Sequence, residues 1–252
     1  MDLQLNGTRV LVTGGSRGIG RAILEAFLDE GATVGFCARN ADEVAATQQA
    51  LQDRGHVQGS TVDVGDADAL TTWVEESADG FGGLDVVVAN VSALAIPDTE
   101  ENWEASLNVD LMHTVRLVRA AMPHLERSQA ASIIAISSVS GRESDFASGP
   151  YGTAKTAIVG YINGLALQLA EKGIRANTVS PGNTYFEGGV WASIETGNPE
   201  LFKTAVDLNP TGHMGTPDEV ADAVVFLASS RASRISGTNL VVDGALTRGI
   251  QF

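Results

Sequence analysis

Tyr151 and Lys155 are the two residues of this sequence whose types and spacing most directly suggest chemistry. Residues four positions apart on a helix project from the same face, so the phenol and the ammonium would be neighbours. A phenol ordinarily loses its proton at about pH 10, and a nearby positive charge favours the phenolate form. The pair is therefore a candidate proton donor and acceptor, although the same spacing also arises by chance on a solvated helix face.

Two other polar residues could act with this pair. Ser138 follows a predicted strand over 132–137, and its hydroxyl could donate a hydrogen bond to a substrate oxygen and stabilise the charge that develops there. Asn108 lies inside a long helix predicted over 100–127. An asparagine in mid-helix is usually just exposed, but its amide could instead hold a water that relays protons to Lys155.

A glycine-rich turn, TGGSRGIG at 13–20, comes directly after the first predicted strand and opens a helix. Glycines permit a tight turn and a close approach to a pyrophosphate, whose charge the helix N-terminus favours. A simple chain reversal is the alternative, but the location at the first strand–helix junction favours dinucleotide binding. The candidate contacts in this turn are Gly14, Ser16, Arg17, Gly18, Ile19 and Gly20.

The end of the second predicted strand indicates which dinucleotide is bound. A carboxylate at this point would hold the ribose hydroxyls of NAD and repel the 2′-phosphate of NADP, but the chain has Arg39 here and no acid. Arg39 and Arg17 could clamp a phosphate with forked hydrogen bonds, so NADP(H) is predicted over NAD(H). Two merely exposed arginines are the alternative. Asp63 and Val64, after the third strand, are predicted to contact the adenine, unless Asp63 is a structural turn residue.

The elements that would position these residues alternate along the chain. Hydrophobic runs predict strands over 8–13, 33–38, 57–62, 84–89, 132–137, 175–180 and 240–242. Helical patterns between them cover 19–30, 41–54, 67–78, 100–127, 151–172 and 217–229, the last with Thr216 as N-cap and Pro217 at its first position. This order predicts one α/β domain over 1–252, with a doubly wound, mostly parallel sheet and helices on both faces. Ligands of such sheets bind beyond the carboxyl ends of the strands.

Composition excludes several other classes of protein. The formal charge of −15 disfavours nucleic acid and anionic membranes as partners. Cys37 is the single cysteine, and the four histidines lack metal-ligand spacing, so no disulfide and no metal site are expected. The first six residues lack the pattern of a signal peptide, and no apolar run is long enough to cross a bilayer, so the cytoplasm is the expected location.

Taken together, the motifs resemble the classical short-chain dehydrogenases/reductases over essentially the whole chain, and in particular the 3-oxoacyl reductases. The residues that carry the resemblance are the turn at 13–20, Asp63, Asn90, Asn108, Ser138, Tyr151, Lys155, Pro181, Gly182 and the closing VDG at 242–244. The resemblance implies a Rossmann-type fold with a seven-stranded sheet, a homotetramer, and a catalytic tetrad of Asn108, Ser138, Tyr151 and Lys155. It implies that Tyr151 protonates a carbonyl oxygen, or deprotonates an alcohol, while hydride passes to or from nicotinamide. Asn90, Tyr151, Lys155, Pro181 and Gly182 would contact the cofactor.

The sequence departs from the family pattern at two places. Asn90-Val91-Ser92 replaces the usual Asn-Ala-Gly, and Phe186 stands where the family has a threonine that contacts the carboxamide. Thr184 is the candidate substitute for that contact.

The segment 183–209, with Gly188 and Gly189 beside aromatic residues, is predicted to form a substrate lid. Ordinary helix packing is the alternative for this segment. Further candidates for the pocket wall are Leu94, Arg142, Glu143 and Phe146, and the apolar tail residues Ile250 and Phe252 could contact another subunit.

The functional prediction is an NADP(H)-dependent oxidoreductase that transfers hydride between nicotinamide and a carbonyl or secondary alcohol of a small molecule. The alternative is a sensor that binds NADP(H) without turnover. A sensor has no need for Tyr151 and Lys155 at this spacing, which argues against the alternative.

Overall fold

A seven-stranded parallel sheet forms the centre of the computed structural model, which describes residues 2–250. The strand order is β3-β2-β1-β4-β5-β6-β7, and every neighbouring pair is parallel. The strands are β1 (Arg9–Thr13), β2 (Thr33–Ala38), β3 (Val57–Thr61), β4 (Val86–Ala89), β5 (Ser132–Ile136), β6 (Arg175–Pro181) and β7 (Asn239–Val242). The predicted Rossmann-type sheet is confirmed. Phe252 and the prediction made for it lie outside the described residues.

Nine α-helices connect or flank the strands in this part of the chain. They are α1 (Gly18–Asp29), α2 (Ala41–Leu51), α3 (Ala67–Gly80), α4 (Glu100–Ala105), α5 (His113–Leu125), α6 (Pro150–Leu169), α7 (Val190–Gly197), α8 (Pro199–Asp207) and α9 (Pro217–Ala228). The start of α9 is as predicted, with Pro217 in its first turn and Thr216 and Glu219 forming a capping box.

Helices cover both faces of the sheet. Successive residues of a strand point to opposite faces, so each strand contributes side chains to two cores. Val10 and Val12 of β1 belong to a core with α1 and α9, whereas Leu11 between them belongs to a second core with α3, α5 and α6. Strands buried on both faces explain the continuous apolar runs of the sequence.

The sheet reverses its winding direction between β1 and β4. The chain runs outward from β1 through β2 to β3 and then crosses back to β4 on the other side of β1. The loops after β1 and β4 therefore diverge and leave a cleft at the carboxyl ends of the strands, which is the usual ligand position of such sheets.

Two segments differ from the sequence prediction. The helix predicted over 100–127 is three pieces, because α4 and α5 are separated by a π-helical stretch over Ser106–Met112. The segment 183–209, for which the sequence left a lid and ordinary helix packing open, contains the helices α7 and α8, whose bounds the sequence did not give. They form a small separate core in which Trp191, Ala205 and Met214 are buried.

Candidate active site

A cleft of about 680 Å³ opens at the carboxyl ends of the strands. It collects almost all of the residues that the sequence singled out, although they come from six different loops. Those lining it are Gly14, Ser16, Arg17, Ile19, Gly20, Arg39, Asp63, Val64, Asn90, Ser138, Tyr151, Lys155, Pro181, Gly182 and Thr184. Gly18 and Asn108 do not line it.

The glycine-rich turn is shaped by close backbone contacts. A Cβ on Gly20 would lie 2.0 Å from the carbonyl oxygen of Gly14, so only glycine fits at this position. Asn90 braces the turn from β4, because its Nδ2 donates to the carbonyl oxygens of Thr13 and Gly14, each at 3.1 Å. The first turn of α1 receives no side-chain cap from Arg17, its N-cap residue, which leaves its N–H groups for an anion.

Phe186 covers part of this turn. A Cβ on Gly18 would come within 2.5 Å of the Phe186 ring, so the ring lies directly on the glycine and separates it from the cleft. Arg17 makes a second link to the same segment, with its Nη1 3.4 Å from the carbonyl oxygen of Gly188. The segment after β6 is thus in contact with the turn expected to hold the pyrophosphate.

The two arginines expected to hold a 2′-phosphate are both exposed. Within residues 2–250, Arg39 forms no hydrogen bond or ion pair, so its guanidinium is available to a ligand. A residue not predicted from the sequence, Glu43, also lines this end of the cleft and accepts a hydrogen bond of 3.0 Å from Ser16 Oγ. Glu43 lies in the first turn of α2, and only the fold brings it beside Ser16.

Tyr151 and Lys155 lie in the first half of α6 and share one face, as predicted. The Lys155 ammonium lies 5.6 Å from the centroid of the Tyr151 ring. Lys155 is 2% exposed, and its Nζ donates to the carbonyl oxygen of Ile136 at 3.1 Å. Gly141 allows α6 to pack closely at Lys155, because a Cβ on Gly141 would lie 2.8 Å from the Lys155 backbone.

Ser138 lies at the end of β5 and lines the same cleft. Its Oγ accepts a hydrogen bond of 3.1 Å from the backbone N–H of Ser140. Because the Oγ acts as acceptor in this bond, its own proton remains free to be donated into the cleft.

The side chain of Asn108 does not contact Lys155 directly. Asn108 Oδ1 accepts a hydrogen bond of 2.7 Å from Arg116, and its Nδ2 lies 3.4 Å from the carbonyl oxygen of Gly65. The residue that contacts Lys155 is Asp110, whose Oδ1 lies 3.2 Å from Nζ and which is fully buried.

The π-helical stretch accounts for this difference. The N–H of His113 bonds to the carbonyl oxygen of Asn108, five residues back, so side chains here do not follow the phase of a regular helix. Asp110 Oδ2 also accepts from the N–H of Ala93, at 3.1 Å, which ties the loop after β4 to this stretch. A sequence signal existed, since Asp110 is flanked by apolar Val109 and Leu111 and shares a helical face with buried Leu117.

His113 lies next to this ion pair and is completely buried. Burial lowers the pKa of His113 to about 4, so the ring is neutral at pH 7. Its Nδ1 lies 2.8 Å from the carbonyl oxygen of Val109 and its Nε2 lies 2.9 Å from Thr13 Oγ1. Since Thr13 Oγ1 also accepts from the N–H of Asn90, the histidine is linked to the ends of β1 and β4.

The end of the cleft beyond Tyr151 is mostly apolar. Phe146 and Trp191 meet edge to face with ring centroids 5.9 Å apart, and Leu94, Val190 and Ile194 lie on the same wall. Leu94 and Phe146 thus line the cleft as the sequence suggested, whereas Arg142 and Glu143 do not. Thr184 Oγ1 is 3.2 Å from the carbonyl oxygen of Gly182, its hydrogen-bond acceptor.

No three or more histidine, cysteine, aspartate or glutamate side chains in residues 2–250 are grouped so as to hold a metal ion. Nor is any described helix both long and apolar enough to cross a membrane. Burial raises the pKa of the Cys37 thiol to about 12, which makes the thiol a poor ligand and nucleophile.

Comparison with known proteins identifies the family. A family profile described as Enoyl-(Acyl carrier protein) reductase matches residues 14–247. Isoepoxydon dehydrogenase from Penicillium expansum is 42% identical, over 98% of each chain. A 3-oxoacyl-(acyl-carrier-protein) reductase from Vibrio harveyi is 31% identical, over 97% of this chain and 99% of that protein. The crystal structure of L-sorbose reductase from Gluconobacter frateurii, complexed with NADPH and L-sorbose, superposes with a TM-score of 0.92 at 27% identity, over 99% of this chain and 100% of that one. The chain therefore belongs to the classical short-chain dehydrogenases/reductases, the family of oxidoreductases whose motifs its sequence contains.

Proposed function

We propose that the chain catalyses NADP(H)-dependent hydride transfer between nicotinamide and the carbonyl carbon of a ketone, or the carbinol carbon of the secondary alcohol. The observation that carries this proposal is that Tyr151 and the buried Lys155 open into the same cleft as the glycine-rich turn. A proton-transferring pair and a pyrophosphate cradle are both needed for this reaction, and they share one cavity.

The residues of the cleft fit a dinucleotide. A Cβ at Gly14 or Gly20 would collide with neighbouring protein atoms. Glycine at these positions also lets the backbone approach a pyrophosphate closely. Asp63 and Val64 would contact the adenine, and Asn90, Pro181, Gly182 and Thr184 would lie along the nicotinamide half. When bound, the nicotinamide supplies hydride to the carbonyl carbon, or accepts it from the alcohol.

The preference for NADP(H) rests on Arg17 and Arg39, whose guanidiniums would pair with the 2′-phosphate. The likeness to a reductase solved with NADPH supports the same preference. Ser16 would add a hydroxyl to this phosphate site, although it now donates to Glu43.

The protein groups act on the substrate oxygen. Ser138 donates a hydrogen bond to that oxygen, because its Oγ proton is not used by the contact with Ser140. The Tyr151 hydroxyl delivers a proton to the same oxygen during reduction and removes it during oxidation. Lys155 faces the phenol and is held in place by Asp110 and the carbonyl oxygen of Ile136. We therefore assign the positioning of the lysine to Asp110 rather than to Asn108.

The proposal also covers the lid, the oligomeric state and the location of the protein. The segment 183–209 would act as the lid of a single domain, which its contacts with the glycine-rich turn at Arg17 and Gly18 support. The chain would form a homotetramer, as the family resemblance implies, and would be located in the cytoplasm. Light scattering at several protein concentrations tests the tetramer.

The proposed reaction is tested with Tyr151→Phe, which removes only the hydroxyl. We expect kcat with NADPH and a reducible ketone to fall by at least about 100-fold, whereas the Kd for NADPH, measured by fluorescence titration, stays within about twofold. Tyr161→Phe is the matched control, because Tyr161 lies on the same helix and does not line the cleft. Full activity in Tyr151→Phe would refute the acid–base role. Tight NADPH binding without turnover by the unmodified protein, across a broad panel of ketones and alcohols, would favour the sensor.

A further inference from the structure

We infer that the substrate is a compact, uncharged ketone or secondary alcohol, and that the cleft discriminates against carboxylates, phosphates and carrier-bound thioesters. This inference rests on the proposed function of the same cleft and adds the chemical class of its substrate. It is carried by the distribution of charge along the cleft walls.

No free positive charge lies near Tyr151 on the described walls of the cleft. The basic residues that line it are Arg17, Arg39 and Lys155. Arg39 follows β2, and β2 is three strand spacings from β5, or about 14 Å across the sheet. Arg17 follows β1 and faces the backbone of Gly188.

Lys155 is close to Tyr151, but its ammonium cannot serve an anionic substrate as a free cation. It is 2% exposed, and the fully buried Asp110 lies 3.2 Å from it. The paired charges largely cancel for a ligand outside the pair. A substrate carboxylate entering this end would also give up hydration without gaining an ion pair, which is strongly unfavourable.

The side chains at this end match an apolar ligand. Leu94, Phe146, Trp191 and Ile194 all line it. Besides the buried Lys155, the charged residue at this end is Asp145. It accepts hydrogen bonds from Ser140 Oγ at 2.6 Å and from the N–H of Ala147 at 2.8 Å. A second negative charge beside this carboxylate would be repelled.

Arg142 does not change this conclusion. It follows β5 and was a sequence candidate for the pocket wall, but it does not line the cleft. Its Nη1 is buried among protein atoms, away from solvent, without a hydrogen-bond partner among the described residues.

The size of the cleft sets a further limit. Its volume of about 680 Å³ must hold both the dinucleotide and the substrate. A dinucleotide has several times as many heavy atoms as a simple ketone and takes most of this space. A small substrate with one polar oxygen for Ser138 and Tyr151, and otherwise apolar atoms, fits what remains.

The inference separates this chain from one of its relatives. The 3-oxoacyl reductase is named for a substrate on an acyl carrier protein, and a carrier arm of the phosphopantetheine type brings a phosphodiester to the mouth of the site. Here the mouth near Phe146 has Asp145, and the basic residues that line the cleft are the distant Arg17 and Arg39 and the buried, paired Lys155.

Two matched substrate pairs test the inference: methyl 4-oxocyclohexanecarboxylate against the free carboxylate, and ethyl 3-oxobutanoate against 3-oxobutanoate. Each pair keeps the carbon skeleton around the ketone and changes the charge. We expect kcat/KM with NADPH to be at least about 30-fold higher for the ester in at least one pair. The phosphopantetheine thioester of 3-oxobutanoate should be reduced no faster than the free acid.

A variant that introduces a positive charge makes the test independent of substrate size. Phe146→Arg places a guanidinium on the cleft wall at a side chain that is 59% exposed, so folding should be preserved. We expect the ester-to-acid ratio of kcat/KM to fall by about tenfold or more. Leu208→Arg adds the same charge at an exposed site outside the cleft and should leave the ratio unchanged.

The outcomes distinguish the two proposals. Equal or faster turnover of the carboxylates or the thioester would overturn the substrate class and leave the proposed hydride transfer intact. An unchanged ratio in Phe146→Arg would show that wall charge does not select the substrate, and would also overturn it. If NADPH binds but neither ester is reduced while larger or charged ketones are, the substrate class is wrong. If NADPH does not bind at all, the proposed function itself fails.

Discussion

The buried imidazole of His113 should make the stability of the protein depend on pH in a calculable way. Its pKa is lowered from 6.5 to about 4 in the folded chain, chiefly by burial. The folded state therefore keeps the ring neutral between these pH values, while the unfolded state binds a proton. The stabilisation is complete above pH 6.5, decreases as the pH falls toward 4, and changes no further below that.

The size of the effect follows from the shift. Lowering the pKa from 6.5 to about 4 corresponds to at most about 3 kcal/mol, of which about 2 kcal/mol is lost between pH 7 and pH 5. Carboxylates also titrate in this range, so a variant is needed to isolate the histidine. His113→Gln removes the titration and retains an amide that can bond to Val109 and Thr13.

Urea unfolding followed by circular dichroism, at fixed protein concentration and at pH 7 and pH 5, measures the difference. We expect the unmodified protein to lose about 2 kcal/mol more than His113→Gln between the two pH values. His56→Gln replaces an exposed histidine and should follow the unmodified protein. If His113→Gln loses as much free energy as the unmodified protein, the buried neutral ring is not the cause and the reasoning fails.

The remaining predictions concern the ion pair and the phosphate end of the cleft. Asp110→Ala leaves a buried ammonium without its partner and should lower the free energy of unfolding by about 3 kcal/mol. In this variant kcat should fall at least about tenfold, whereas Asn108→Ala should keep kcat within about threefold. A larger loss of kcat in Asn108→Ala than in Asp110→Ala would contradict the positioning of Lys155 by Asp110. Glu43→Gln removes a carboxylate beside the proposed 2′-phosphate site and should raise the ratio of kcat/KM for NADPH over NADH by about three- to fivefold, with Asp42→Asn as a matched control that leaves it unchanged. Arg39→Ala should lower the same ratio by about tenfold, and an unchanged ratio would exclude the arginine from phosphate binding.

The parts of the fold that the sequence predicted well are those in which a local pattern and the tertiary environment agree. The central strands are apolar throughout because both of their faces are buried, and the start of α9 has a complete capping box in Thr216 and Glu219. The glycine-rich turn was recognisable because a Cβ at Gly20 would collide with backbone, a constraint that any ligand-binding version of the turn shares. The sequence left a lid and ordinary helix packing open for the segment 183–209, because the part before α7 is rich in glycine and because the core of Trp191, Ala205 and Met214 exists only after folding.

The contact between Asp110 and Lys155 is the part of the site that the sequence did not predict. The spacing of Tyr151 and Lys155 depends only on a regular helix, and α6 is regular over this part, so the prediction of their common face is confirmed. The residues that face Lys155 depend also on the phase of a second helix, which a single π-helical stretch changes. Lys155 is buried, so its ammonium needs a negative charge close by. Asp110 provides this charge, with one carboxylate oxygen 3.2 Å from the ammonium and the other accepting a hydrogen bond from the N–H of Ala93. Because a buried charge needs a partner, the burial of Lys155 accounts for the carboxylate that the fold places beside it.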